Sequence, residues 1–105
     1  MPKKTIYIAG PITGVERYWE PFEKADDDLT SRGYAVLNPS RLPQGMQAVN
    51  YTDICWMMLG NADAVLMLPG WEDSMGAAAE RRLASMTNKP VYYSIEEMVK
   101  GVPAR

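Results

Sequence analysis

The chain has 105 residues, 47% of them hydrophobic, with 11 Lys or Arg against 13 Asp or Glu and a formal net charge of −2. That is an ordinary single globular domain, and it offers no basic surface for a nucleic-acid polymer. The absence of histidine, with only one cysteine, excludes imidazole bases, Ser-His-Asp and Cys-His dyads, an intrachain disulfide, and histidine or thiolate metal sites.

Thr5-Ile6-Tyr7-Ile8-Ala9 is a compact apolar run that reads as a buried strand, ended by Gly10-Pro11. The loop Gly10-Pro11-Ile12-Thr13-Gly14 leads into a helical stripe of Tyr18, Phe22, Ala25 and Leu29. Asp26, Asp27 and Asp28 are expected mostly on its wet face, with Gly33 closing the C-terminus. Pro21 fits only the first turn, so the helix is expected to begin between residues 18 and 21. Residues 34–37 form a second short strand, stopped by Asn38-Pro39-Ser40, and 40–50 read as loop. A helix over 50–62 follows, with Tyr51, Cys55, Met58 and Ala62 inward; Trp56 and Met57 lie off that stripe and suggest a subunit interface. Residues 64–68 give the most buried-looking strand, Pro69 to Asp73 a loop, and 74–86 an alanine-rich helix. Residues 89–93 and 95–100 supply a last strand and a short last helix.

Strands alternating with helices, the strands apolar throughout, imply an α/β, Rossmann-like three-layer sandwich with a parallel sheet of four to five strands in one domain. The expected strand order is 2-1-3-4. No run reaches the roughly 18 apolar residues of a membrane span and Met1-Pro2-Lys3-Lys4 does not open a secretory leader, so a cytoplasmic protein is expected.

In such sheets the ligand crevice lies beyond the carboxyl ends of the strands. Those ends carry Gly10-Pro11, Asn38-Pro39 and Pro69-Gly70-Trp71. The first loop is neither a dinucleotide fingerprint nor a Walker loop. It is either a plain tight turn or a place where backbone N–H groups and the Thr13 hydroxyl meet a sugar or phosphate. Glu80 falls about two turns into the 74–86 helix among Gly76, Ala77, Leu83 and Ala84, with no cation on its own helix. It is either an ordinary surface residue or a carboxylate held in a tight site, where burial demands a role. Ser74 can cap that helix or help hold an anion at its N-terminus. Trp71 can stack on a flat ligand or cover the core. Asp53 serves either the helix dipole or catalysis.

Taken together, Tyr7-Ile8-Ala9-Gly10-Pro11, Asn38-Pro39, Asp63-Ala64-Val65, Pro69-Gly70-Trp71 and Ser74-x-Gly76-Ala77-x-x-Glu80 resemble the nucleoside 2-deoxyribosyltransferase-like superfamily. The likeness is to its small bacterial and phage branch, related to the 2′-deoxynucleoside 5′-monophosphate N-glycosidases, and it spans residues 5–93. The resemblance implies a flavodoxin-type sheet and a glutamate nucleophile, which by motif position is Glu80. Ser74 stands where the monophosphate glycosidases have a serine that helps hold the 5′-phosphate. Tyr7 matches a first-strand tyrosine near the nucleophile, and Gly10, Pro11, Ile12 and Thr13 match the loop lining sugar and base. Asn38, Trp71, Gly76 and Ala77 join the expected substrate contacts. Cys55 occupies the place of the superfamily's second acid, and Asp53 is the nearest carboxylate.

The resemblance implies cleavage or (deoxy)ribosyl transfer at the N-glycosidic bond of a nucleoside or nucleoside 5′-monophosphate, with retention through a Glu80 glycosyl-enzyme. It implies no cofactor, a small-molecule partner and a homodimer or higher homo-oligomer. The rival reading is a nucleotide-binding or sensor protein on the same fold without turnover.

Overall fold

A computed structural model describes residues 2–104. Four parallel strands form one sheet in the order β2-β1-β3-β4: β1 Thr5–Ala9, β2 Ala35–Leu37, β3 Ala64–Met67 and β4 Val91–Tyr92. Four helices connect and follow them: α1 Trp19–Ser31, α2 Ala48–Gly60, α3 Met75–Met86 and α4 Ile95–Gly101. The order is the expected one. β1 takes the centre because every residue from Ile6 to Ala9 is apolar and buried, which suits a strand covered on both faces.

Alternation along β1 and β3 divides the interior in two. Ile6, Ile8, Ala64 and Leu66 point to one side, where Phe22, Ala25 and Leu29 of α1 and Met98 of α4 cover them. Tyr7, Ala9, Val65 and Met67 point to the other, under Leu59 of α2 and Ala77 and Ala84 of α3. This is the three-layer sandwich that the βα alternation requires.

The boundaries differ from the expectation for local reasons. Pro21 is the third residue of α1, in the first turn, where its missing N–H costs nothing. α2 begins at Ala48 rather than 50 and ends at Gly60, and buried Ala62 belongs to the turn before β3. Residues 39–41 form a 3₁₀ turn, with Asn38 as its cap, inside what read as loop. α3 stops at Met86, and Asn88 just beyond adopts a left-handed conformation (φ 58°).

One expectation is overturned. Asp26 is not on the wet face of α1 but buried beneath it. Its carboxylate accepts from Thr30 Oγ1 at 3.0 Å and from Asn38 Nδ2 at 2.9 Å, with Arg41 Nε at 3.5 Å. Helical phase puts residue 26 next to Ala25 and one turn from Phe22 and Leu29, at the border of the apolar stripe. The asparagine ending β2 supplies the partner that lets a carboxylate remain there.

Candidate functional site

The sheet's carboxyl edge is assembled from loops that approach very closely. Gly10 is buried against Leu68, whose Cβ would lie 2.9 Å from any Cβ placed at position 10, so only glycine lets β1 leave the sheet at this point. Gly70 is left-handed (φ 88°) and its Cα faces Pro11, which ties the loop after β3 to the loop after β1. Between them the chain turns through a 3₁₀ segment, Trp71–Asp73, into α3. Ser74 caps that helix, its Oγ accepting from the Ala77 N–H at 3.3 Å.

Two turns into α3, Glu80 reaches down beside β1. The Tyr7 hydroxyl donates to Glu80 Oε2 at 2.6 Å, across 73 residues of sequence. Tyr7 is completely enclosed, so this bond satisfies a phenol with no access to water. Glu80 is half-buried, and among the described residues it has no cation in contact. Burial pushes its carboxyl up to about 7, and the Tyr7 hydrogen bond partly opposes that rise. Burial, followed by the charge of Glu80, raises the Tyr7 phenol far above its ordinary value, so it stays a donor. The site therefore holds a carboxylate poised near neutrality, one oxygen fixed by a phenol and the other, among the described residues, uncommitted.

The third member of this group is Cys55. It packs half-buried against the Tyr7 cluster from α2, and burial raises its thiol, with the Tyr7 hydroxyl close enough to work against that rise. Asp53 precedes it by two residues, about 200° around the helix. The structure accordingly leaves Asp53 exposed, on the outer face of α2 with Met57 and Asn61, and off the Tyr7–Glu80 pair. The inward phase of residue 55 was legible in the helical spacing. That its side chain meets the tyrosine follows only from the register of α2 on the sheet.

The remaining expected residues divide. Ala77 is buried against the Tyr7 cluster, while Gly76, one turn before Glu80, opens onto free space. Pro11 is half-buried and Thr13 exposed, while Ile12 packs toward the α1 core. Asn38 is fully engaged in structure: its Nδ2 serves Asp26, and its Oδ1 accepts from Ser40 N at 2.9 Å and Ser40 Oγ at 2.7 Å. Trp71 is half-buried, with the Arg81 guanidinium 5.0 Å from its ring centroid and the Tyr93 ring at 5.8 Å. Arg81 Nε also donates to the Tyr93 hydroxyl at 2.8 Å. This clasp between α3 and the end of β4 had no signature in the sequence, since its three members are brought together by the fold.

Among the described residues no three acidic or thiol side chains converge to hold a metal ion, and no helix is long and apolar enough to cross a membrane. No curated protein matches the chain. Residues 4–93, which include β1 through β4 and every side chain of the site, match a family described as a domain of unknown function, DUF4406. The chain belongs to that family.

Proposed function

We propose that the chain acts on the N-glycosidic bond of a nucleoside or nucleoside 5′-monophosphate, with Glu80 as the nucleophile. The observation that carries this reading is the Tyr7–Glu80 hydrogen bond that joins β1 to α3. A carboxylate with one oxygen pinned presents the other in a defined direction, which is what capture of an oxocarbenium-like carbon requires. The free oxygen of Glu80 attacks C1′ from the face opposite the base. The C1′–N bond breaks and its electron pair leaves on the base nitrogen, which takes a proton from solvent. Water, or the nitrogen of a second base, then attacks C1′ and displaces Glu80, so two inversions give net retention. Tyr7, being enclosed, touches no substrate and is a positioning residue. The N-terminus of α3, with the Ser74 hydroxyl and the open space at Gly76, is where a 5′-phosphate fits this reading.

The test is incubation with deoxynucleoside 5′-monophosphates and free nucleosides, followed by chromatography for released base. Release is expected, falling by at least about 100-fold in Glu80→Ala, the scale of losing a covalent nucleophile. Full activity in Glu80→Ala would remove the mechanism.

A second reading, binding without turnover, is favoured by one observation. The α2 residue facing the pair is a thiol and not a second carboxylic acid. That reading expects thermal stabilisation by nucleotides, no base release, and indifference to Glu80→Gln.

A further inference from the structure

Breaking a glycosidic bond needs a way for the base to depart as well as a carboxylate to attack. The half-buried polar side chains of α2 are Tyr51 and Cys55, one turn apart. The Tyr51 hydroxyl donates to the Pro43 carbonyl and accepts from the Met46 N–H at 3.2 Å, so it is spent on the loop before the helix. Cys55 packs against the Tyr7 cluster, and burial pushes its thiol up. A thiol raised in this way keeps its proton at neutral pH and is a weaker acid than a free one.

The other carboxyl groups are placed elsewhere or are wet. Asp53 is exposed on the outer face of α2. Asp63 accepts from the Thr5 N–H at 2.8 Å, at the amino end of β1. Asp26 is bonded to Thr30 and Asn38 beneath α1. Glu16, Glu72 and Asp73 are exposed in the loops that follow β1 and β3, and an acid in open water lacks the burial that tunes a carboxyl to give up a proton near neutrality. Glu80 has that burial, but as the attacking carboxylate it has no proton to give in the same step.

Without a tuned donor, the rate depends on what leaves. The electron pair of the C1′–N bond passes to the ring nitrogen. An unmodified purine departs as an anion unless a proton reaches it. A purine alkylated at N7 is already cationic, so the same electron pair neutralises the ring and the base leaves as a neutral molecule with no proton moved. Water then attacks C1′, displaces the Glu80 oxygen and loses its proton to solvent. We infer that the substrate is a nucleotide whose base arrives cationic, a purine alkylated at a ring nitrogen; this rests on the N-glycosidic reading above. A positive ring is also attracted to the Glu80 carboxylate, which no described cation contacts.

The test compares release of base from N7-methyl-2′-deoxyguanosine 5′-monophosphate and from 2′-deoxyguanosine 5′-monophosphate by the full chain at pH 8, with enzyme-free loss subtracted. General acid catalysis is worth about 100-fold or more, so kcat/KM is expected to be at least about 100-fold higher for the alkylated nucleotide. A smaller ratio means that the protein protonates the base; it overturns the inference and spares the N-glycosidic reading. Base release from unmodified nucleotides with none from the alkylated one does the same, whereas no release from any nucleotide or nucleoside sinks both. Cys55→Ala is expected to leave the ratio unchanged within about threefold, and a wider ratio identifies the thiol as the proton donor and overturns the inference. General damage to the site cancels in a ratio, and where the variant does not fold the wild-type ratio decides.

Discussion

Glu80 owes its character to what is missing around it. Among the described residues no cation neighbours it, and its one hydrogen bond comes from a phenol that is itself enclosed. Desolvation sets it near neutrality, and the Tyr7 hydrogen bond holds it down. Under the proposed mechanism the attacking form is the carboxylate, so activity is expected to rise with pH through about 7. Tyr7→Phe keeps the ring and removes the donor. A hydrogen bond to a charged acceptor contributes about 1.5–3 kcal/mol, so the ascending limb is expected to move roughly 1–2 pH units upward. The Cys55 thiol, raised by burial, stays protonated over that range and does not supply the limb. A pH profile in which Tyr7→Phe lowers the rate without moving the limb would show that the phenol does not set the carboxyl.

At the level of elements, the sequence was informative wherever periodicity met a buried surface. Strands and helices appeared in the right order because β1 and β3 are uniformly apolar and α1 and α3 are interrupted only at their ends. α2 was harder to delimit. With apolar residues on both its inner and its outer face, its spacing marks the inward stripe but not the ends, and it begins at Ala48, two residues before the expected start. Asp26 was misplaced because a single chain does not show that Asn38, 12 residues on, offers its amide to that carboxylate. The Tyr7–Glu80 pair spans 73 residues, and no local rule reaches so far; each residue is legible by itself, but their contact is not. The Asp26–Asn38 contact is also where α1 is fastened to the end of β2. Asp26→Ala strands the Asn38 amide in the interior and is expected to cost about 1–3 kcal/mol in urea unfolding. Asp27→Ala, one residue away and exposed, is expected to change stability by less than about 0.5 kcal/mol.

For the whole molecule, the site lowers stability. The Glu80 carboxyl rises from 4.5 in an unfolded chain to about 7 in the fold, so the native state binds that proton more tightly. Its contribution is fully present below pH 4.5 and is lost as the pH climbs through about 7. At most about 3 kcal/mol disappears in that window, reduced by whatever solvent still reaches the half-buried group. Glu80→Gln removes the ionisation and keeps an acceptor for Tyr7. It is expected to melt above the wild type at pH 8 and to match it near pH 4, by calorimetry at both values; equal melting temperatures at pH 8 would mean the carboxylate is well solvated after all. The clasp of Trp71, Arg81 and Tyr93 gives this architecture an optical handle. Trp19 and Trp56 are the other two indoles, and both are exposed, whereas Trp71 is half-buried against the Arg81 guanidinium and the Tyr93 ring. Replacing the two exposed indoles by phenylalanine is expected to leave a single emitter with a shorter-wavelength maximum, and a change in its emission on adding nucleotide would report on the proposed site without any dye attached.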